Sequence, residues 1–243
     1  MVVTDRTPPA VGRRHLLGTS ISAAGVIALS ACGSPPPNPR AGQAAPDVHD
    51  VPVTPPEDLM REHGVLKRVL LIYREGIRRL QTDEQDPSQA LNASAGIIRS
   101  FIEDYHEHLE EQYVFPKLEQ AGRLTDITSV LRTQHQRGRL LTDRMLSATA
   151  GPAALNQPAR EALVKDVLAF IRMYEPHEAR EDTVVFPALR DVLPPTEFRE
   201  LAERFEDEEH QRFGQAGFQG VVERVADIEK SLDIYDLSQF TPT

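Results

Sequence analysis

Two short motifs in the sequence place a histidine and a glutamate four residues apart. They are His106-x-x-x-Glu110 and His177-x-x-x-Glu181, and in both copies a Phe-Pro pair follows nine and ten residues after the histidine. The offset between the copies is 71 residues throughout. Residues four apart share one face of an α-helix, so each copy directs an imidazole and a carboxylate the same way. Two such faces opposed inside a helical bundle would form a metal site.

A single histidine precedes each motif at nearly the same spacing. His63 and His135 are 72 residues apart, and each lies on the apolar face of its predicted helix. One His-x-x-x-Glu pair alone is typical of a surface ion pair worth about 0.3 to 0.5 kcal/mol. One histidine on an apolar face is typical of a core residue. Four histidines and two glutamates in register across a duplication indicate metal binding instead, because burying so many titratable groups without a ligand carries a large desolvation cost.

The types of these side chains favour two metal ions. Neutral imidazoles suit iron, copper and zinc, carboxylates add oxygen donors that can bridge two ions, and the set contains no thiolate. Four histidines and two glutamates are too many for one tetrahedral zinc. Two octahedral ions that share Glu110 and Glu181 as bridges fit better. The predicted ligands are His63, His106, Glu110, His135, His177 and Glu181.

The rest of the sequence predicts the helices that would carry these ligands. Apolar residues recur every three or four positions in stretches separated by Pro, Gly or polar turns, and no stretch has the alternation of a strand. The predicted helices end or begin near residues 57–80, 88–119, 125–147, 158–192, 196–213 and 221–232. This pattern indicates an all-α fold, an up-and-down four-helix bundle at 57–192 with one or two extra C-terminal helices and a short tail at 193–243. Pro176 falls inside the fourth helix and predicts a kink there.

Residues 1–32 are typical of an export signal. Arg13 and Arg14 form a twin-arginine pair, and a modestly apolar stretch follows that is too short for an ordinary membrane-spanning helix. The stretch ends in Leu-Ser-Ala-Cys, which resembles the lipobox of bacterial lipoproteins, where the cysteine is acylated. Cys32 is the only cysteine of the chain. We therefore expect export by the twin-arginine route and a lipid anchor on Cys32, on the outer side of the cytoplasmic membrane (periplasm or cell surface).

The composition changes after the predicted signal. Residues 33–56 include eight prolines and cannot bury enough apolar surface to fold, so they are predicted to form a disordered tether. Residues 1–32 hold three of the 27 basic and one of the 37 acidic side chains, which leaves the remainder with a formal net charge of −12. Such a charge argues against nucleic acid as a partner and against electrostatic adhesion to anionic lipid. The sequence names no protein partner.

The pattern of the six predicted ligands resembles the hemerythrin and HHE-type cation-binding family, whose four-helix bundle holds a non-haem diiron centre. The resemblance covers residues 57–192 and implies two iron ions bridged by the two glutamates. It departs from the animal oxygen carriers in two places. Their third helix has His-x-x-x-His, whereas position 139 here is Arg139. Their fourth helix has His-x-x-x-x-Asp, a spacing that Asp182 occupies, although the internal repeat favours Glu181.

The missing histidine leaves a coordination position to be filled by another group or by water. Asp182 is one candidate. Tyr113 is another, because it follows His106 by seven residues on the same face, although core packing is its alternative role. His210 is the third, but it follows an acidic run, and by helical-wheel angle Glu209 lies nearer the apolar stripe than His210.

The resemblance implies a protein that binds or reacts with dioxygen, nitric oxide or hydrogen peroxide. It leaves open whether the protein is an enzyme, a carrier, or an iron store or donor. A ferritin-like carboxylate diiron oxidase is an alternative, but that fold needs Glu-x-x-His on two helices. Glu103-x-x-His106 matches once, and the counterpart of Glu103 is Tyr174. A metal-free helical lipoprotein that binds a partner is a further alternative.

Overall fold

The computed structural model describes residues 53–82, 84–151 and 155–242. The predicted export signal, Cys32 and nearly all of the predicted tether lie outside these residues. Most of the described residues are helical and none of them belongs to a strand, so the all-α prediction is confirmed. No helix in these three ranges is both long and apolar enough to cross a membrane.

Six helices order the described part of the chain. They are α1, Pro55–Thr82; α2, residues 88–120; α3, Thr125–Thr149; α4, residues 157–192; α5, Pro195–Phe213; and α6, Gly217–Ser231. Short 3₁₀ turns cover Gly214–Ala216 and Leu237–Phe240. The first helix therefore includes Pro55 and Pro56, which the sequence assigned to the tether.

The helix ends follow from local residue chemistry. The Thr54 hydroxyl accepts a hydrogen bond from the Glu57 N–H at 3.4 Å, and a proline is tolerated in a first turn because its missing N–H has no helical partner there. The Asn156 side chain caps α4 in the same way, by accepting from the Ala159 N–H at 3.0 Å. Gly122 follows α2 with φ at +65°, a left-handed conformation that stops a helix.

Both α2 and α4 contain wider π-helical turns, which the sequence analysis did not predict. One such turn covers Glu110–Val114 and its counterpart covers Glu181–Val185, each directly before a Phe-Pro pair. A proline cannot donate to the carbonyl four residues earlier, and its ring crowds that carbonyl. The wider turn relieves this conflict. The Phe-Pro pairs therefore set the backbone under the two predicted bridging glutamates. A further π segment, Ile98–His106, precedes the first of these turns.

The four long helices close a bundle. α1 packs against α2 and α4, α3 packs against the same two helices, and α5 and α6 lie on the α1–α2 side. The core is rich in aromatic residues, and the largest fully buried side chains are Tyr73, Tyr105, Tyr174, Phe101, Phe115, Phe170, Phe186 and Phe205. The α-helical part of α4 continues through Pro176 as far as Arg180, so the first irregular turn begins at Glu181 rather than at the proline.

Candidate metal centre

The structure brings the six predicted ligands together in the middle of the bundle. Every long helix contributes at least one of them. The residues are His63 from α1, His106 and Glu110 from α2, His135 from α3, and His177 and Glu181 from α4. None of the six is more than 3% exposed.

The histidines form two pairs, one in each half of the repeat. His63 Nε2 lies 3.0 Å from His106 Nε2, and His135 Nε2 lies 3.2 Å from His177 Nε2. Each pair joins two neighbouring helices, α1 with α2 and α3 with α4.

The two glutamates connect the pairs. Glu110 Oε1 is 3.7 Å from His106 Nε2, and its Oε2 is 3.4 Å from His135 Nε2. Glu181 Oε2 is 3.1 Å from His177 Nε2 and 3.4 Å from His63 Nε2. All four oxygens of these carboxylates are buried without a hydrogen-bond partner. Such atoms cost several kcal/mol per ion unless a cation accompanies them, so the donor set fits a metal.

The outer ring nitrogen of every histidine has a partner as well. Each Nδ1 donates to an oxygen: His63 to Asp182 (2.7 Å), His106 to Glu62 (2.6 Å), His135 to Glu111 (2.9 Å) and His177 to Gln134 (2.9 Å). A histidine that donates from Nδ1 presents the lone pair of Nε2, which is the form that binds a metal. The four Nε2 lone pairs therefore converge on the two carboxylates.

Comparison with known proteins agrees with this geometry. The pattern of the Hemerythrin HHE cation binding domain matches residues 54–189. The chain belongs to the hemerythrin HHE family. It is 73% identical over 247 positions to Uncharacterized protein Rv1995 of Mycobacterium tuberculosis and to Uncharacterized protein Mb2018 of Mycobacterium bovis, with 100% of this chain and 96% of each relative covered. No solved structure matches the chain.

The three additional candidates for ligands of this hemerythrin-like centre lie outside the group of six. Asp182 lies behind His63, on its Nδ1, rather than beside the facing Nε2 atoms. The Tyr113 hydroxyl donates to Glu208 at 2.6 Å. His210 is exposed on α5, and its Nδ1 donates to the Glu206 carbonyl at 3.0 Å. Packing of α5 on the bundle turns Glu209 inward and His210 outward.

Arg139 belongs to the repeat instead of breaking it. Its counterpart is Lys67, 72 residues earlier. Each cation lies between two acidic side chains: Arg139 Nη2 is 2.8 Å from Glu107 and 2.9 Å from Glu111, and Lys67 Nζ is 3.8 Å from Glu178 and 3.2 Å from Asp182. The sequence analysis missed these residues and the Nδ1 partners. Extending the repeat to one residue before and four after each single histidine would have found Glu62, Gln134 and both cations.

Burial and neighbouring charges separate the pKa values of the histidines. Burial lowers the pKa of His106 well below its usual value and lowers that of His135 to about 4. Burial acts in the same direction on His63, but its hydrogen bonds to Asp182 and Glu181 outweigh it and raise its pKa to about 9. At pH 7 and without metal, His106 and His135 are neutral and His63 is protonated.

The two central glutamates also differ. Burial and the negative charge of Glu181 raise the pKa of Glu110 well above its usual value. Burial opposes ionisation of Glu181 as well, but His177 and His63 hold the pKa of Glu181 well below its usual range. The metal-free centre therefore keeps one carboxylate neutral and one ionised, and a bound cation would replace the protons.

The two outer faces of the centre are unlike. A pocket of about 360 Å³ lies against His177, and its lining includes Ile127, Val130, Leu131, Gln134 and Pro176. The repeat equates Val130 with Asp58, Gln134 with Glu62, and Pro176 with Tyr105. On that side α5 covers the centre: Tyr105 is fully buried, and its hydroxyl donates to the Phe205 carbonyl at 3.5 Å.

Proposed function

We propose that the protein binds two iron ions in its bundle and that dioxygen, nitric oxide or hydrogen peroxide binds or reacts there. The observation that carries this proposal is the convergence of four Nε2 atoms on four buried carboxylate oxygens that have no hydrogen-bond partner. Iron accepts such a mixed nitrogen and oxygen set.

The proposal assigns a role to each side chain. His63 and His106 hold one ion, His135 and His177 hold the other, and the two glutamates bridge them. This set gives each ion four protein donors, so an octahedral ion keeps positions for a small ligand. Bound iron supplies the site at which a diatomic molecule or peroxide binds and is activated. The oxygens behind the histidines keep Nε2 directed inward.

The pocket beside His177 supports an uncharged ligand. Its lining is mainly apolar, and its inner wall is formed by His177 and Gln134. A small neutral molecule enters such a pocket without losing the hydration that an ionic substrate would lose. This face of the centre, rather than the one covered by α5, is the proposed side of entry.

The ferritin-like alternative is less well supported. Its motif would need Glu103 to coordinate together with His106. The Glu103 carboxylate instead accepts a hydrogen bond from Thr142 Oγ1 at 2.5 Å and lies 3.1 Å from Arg99 Nη1. Glu103 therefore acts in packing α2 against α3.

The decisive experiment measures iron and then reactivity. Full-length protein would be loaded anaerobically with ferrous iron and its iron content determined by mass spectrometry, with an expected value of two per chain, the number of histidine pairs. The reduced protein would then meet oxygen, nitric oxide and peroxide while its absorption spectrum is recorded. A reversible oxygen adduct identifies a carrier, and oxidation with peroxide turnover identifies an enzyme. Iron well below two per chain, or no spectral response to any of the three, contradicts the proposal.

We also propose that the protein acts outside the cytoplasmic membrane, held by a lipid on Cys32. The support is the sequence of residues 1–32, with its twin arginines and its single cysteine after an apolar stretch. Fractionation of cells that express the full-length chain tests this location. Changing Arg13 and Arg14 to Lys should retain the protein in the cytoplasm, whereas Cys32→Ser should release the exported protein from the membrane. Unchanged distribution in both variants contradicts the proposal.

A further inference from the structure

A second group of carboxylates lies behind His106. Asp58 and Glu62 come from α1 and Glu209 comes from α5, and oxygen atoms of all three lie within 4.8 Å of one another. Glu62 is fully buried, and Asp58 and Glu209 are half-buried. Like charges at such distances repel unless protons or a cation accompany them.

One oxygen of this group has no partner. Glu62 Oε2 accepts the hydrogen bond of His106 Nδ1, but Glu62 Oε1 is buried without a hydrogen bond. Tyr105 lies near Glu62, yet its hydroxyl donates to the Phe205 carbonyl. Glu62 thus connects the metal centre, through one oxygen, with the carboxylate group, through the other.

The third carboxylate is held in place by the turn that follows α5. Glu209 Oε1 accepts a hydrogen bond from the Phe218 N–H at 2.9 Å. Residue 217 is a glycine with φ at +44°, and a Cβ there would collide with Glu209 Oε1. The absence of a side chain at Gly217 therefore leaves room for the carboxylate to face α1.

Positive charge near the group is limited to its edge. Arg61 Nη1 is 3.5 Å from Asp58 Oδ1, and this arginine is exposed and lies over the Phe218 ring at 4.5 Å. One guanidinium on the outside does not neutralise three carboxylates. In agreement, burial together with Glu62 and Glu209 raises the pKa of Asp58 to about 7.

We propose that Asp58, Glu62 and Glu209 bind a third divalent cation through carboxylate oxygens, on the side of the centre that α5 covers. An all-oxygen set favours hard ions such as Mn²⁺, Mg²⁺ or Ca²⁺, in contrast to the nitrogen-rich set of the central pair. The other half of the repeat has Val130 and Gln134 in place of Asp58 and Glu62, so the site is one-sided.

Manganese titration of the full-length, iron-loaded protein tests this site. The electron paramagnetic resonance signal of free Mn²⁺ reports binding, and iron content is measured before and after. We expect one saturable Mn²⁺ per chain with no loss of iron. Absence of saturable binding, or binding only in exchange for iron, overturns the proposal.

Matched variants then locate the site. Glu209→Gln should weaken Mn²⁺ binding about ten-fold or more while iron at the central pair stays the same. Asp207→Asn removes a neighbouring exposed charge from the same helix and should leave Mn²⁺ affinity unchanged. Asp58→Asn repeats the test from α1 if Glu209→Gln does not fold. Equal affinity in Glu209→Gln, Asp58→Asn and Asp207→Asn overturns the assignment.

Discussion

The half of the bundle formed by α1 and α2 and the half formed by α3 and α4 hold their histidines in the same way. The facing Nε2 atoms are 3.0 Å apart in one half and 3.2 Å apart in the other. Away from the centre the halves diverge, because Asp58 and Tyr105 in the first correspond to Val130 and Pro176 in the second. The duplication thus preserves what surrounds the centre, and the outer faces are free to differ.

The difference gives each face a separate chemical character. α5 covers the first half and places Glu209 opposite two further carboxylates, whereas the second half opens to solvent through an apolar pocket beside His177. The same contrast reaches the centre, since His106 donates to the carboxylate of Glu62 but His177 donates to the neutral amide of Gln134. A charge-assisted hydrogen bond is stronger than a neutral one, so the two halves would bind their ions unequally.

The largest expected effect tests whether both halves are needed. His106→Ala removes a ligand from the first half and His177→Ala removes one from the second, and each should reduce iron to one ion per chain or less, because the glutamates join both halves. Metal analysis of the purified full-length variants measures this. His108→Ala, which changes a histidine with a 40% exposed side chain, should keep the full iron content. Equal iron in all three variants would falsify the ligand assignment.

A smaller effect is expected behind the histidines. Asp182→Asn acts on His63 and Glu111→Gln acts on His135, and each should lower iron affinity about 10- to 100-fold, because the charged acceptor that orients the ring is lost. Competition with a chelator gives the affinity. Thr183→Ala, next to Asp182 but exposed, serves as the control. An affinity equal to that of the control in both variants would show that these acceptors do not tune the centre.

Proton release on metal binding separates the halves in another way. At pH 7 the raised pKa values keep His63 and Glu110 protonated, whereas His106 and His135 are already neutral. Metal binding should therefore release about two protons at pH 7, and fewer as the pH rises through 9. Calorimetry in buffers of different ionisation enthalpy counts them.

The same pKa shift of His63 predicts the stability of the metal-free protein. Its folded pKa of about 9 lies above the ordinary value of 6.5, so protonated His63 stabilises the fold fully below pH 6.5, and this contribution disappears as the pH rises through 9. Denaturant unfolding of the metal-free protein at several pH values measures it. A release of no protons, or a stability that increases between pH 7 and 9, contradicts the assignment of charges.

The smallest expected effect concerns access. Val130→Phe should narrow the pocket beside His177 and slow the binding of nitric oxide to the reduced protein severalfold, with iron content unchanged. Stopped-flow absorption measures the rate. Leu140→Phe adds the same ring at another exposed position of α3 and should leave the rate unaltered. If both variants react as fast as the natural protein, the ligand enters elsewhere.

Much of the fold could be predicted because it follows from local periodicity. The second helix was expected at residues 88–119 and extends over 88–120, since its apolar face and Gly122 are both visible in the sequence. The π turns were missed because periodicity reports which face is apolar and not how the backbone yields to a proline such as Pro116. The position of His210 was undecided because only packing of α5 against α1 determines which of its faces is buried.

The sequence by itself determined that six chemically suited side chains recur in register on four helices, because a duplication with a 71-residue offset is a linear property of the chain. It also determined the helices, since amphipathic spacing and turn residues act locally. Only the tertiary structure decided that Asp182 lies behind His63, that Arg139 matches Lys67, and that one face is acidic and covered while the other is apolar and open. These features depend on distances between separate helices, and such distances are fixed by packing rather than by position in the chain.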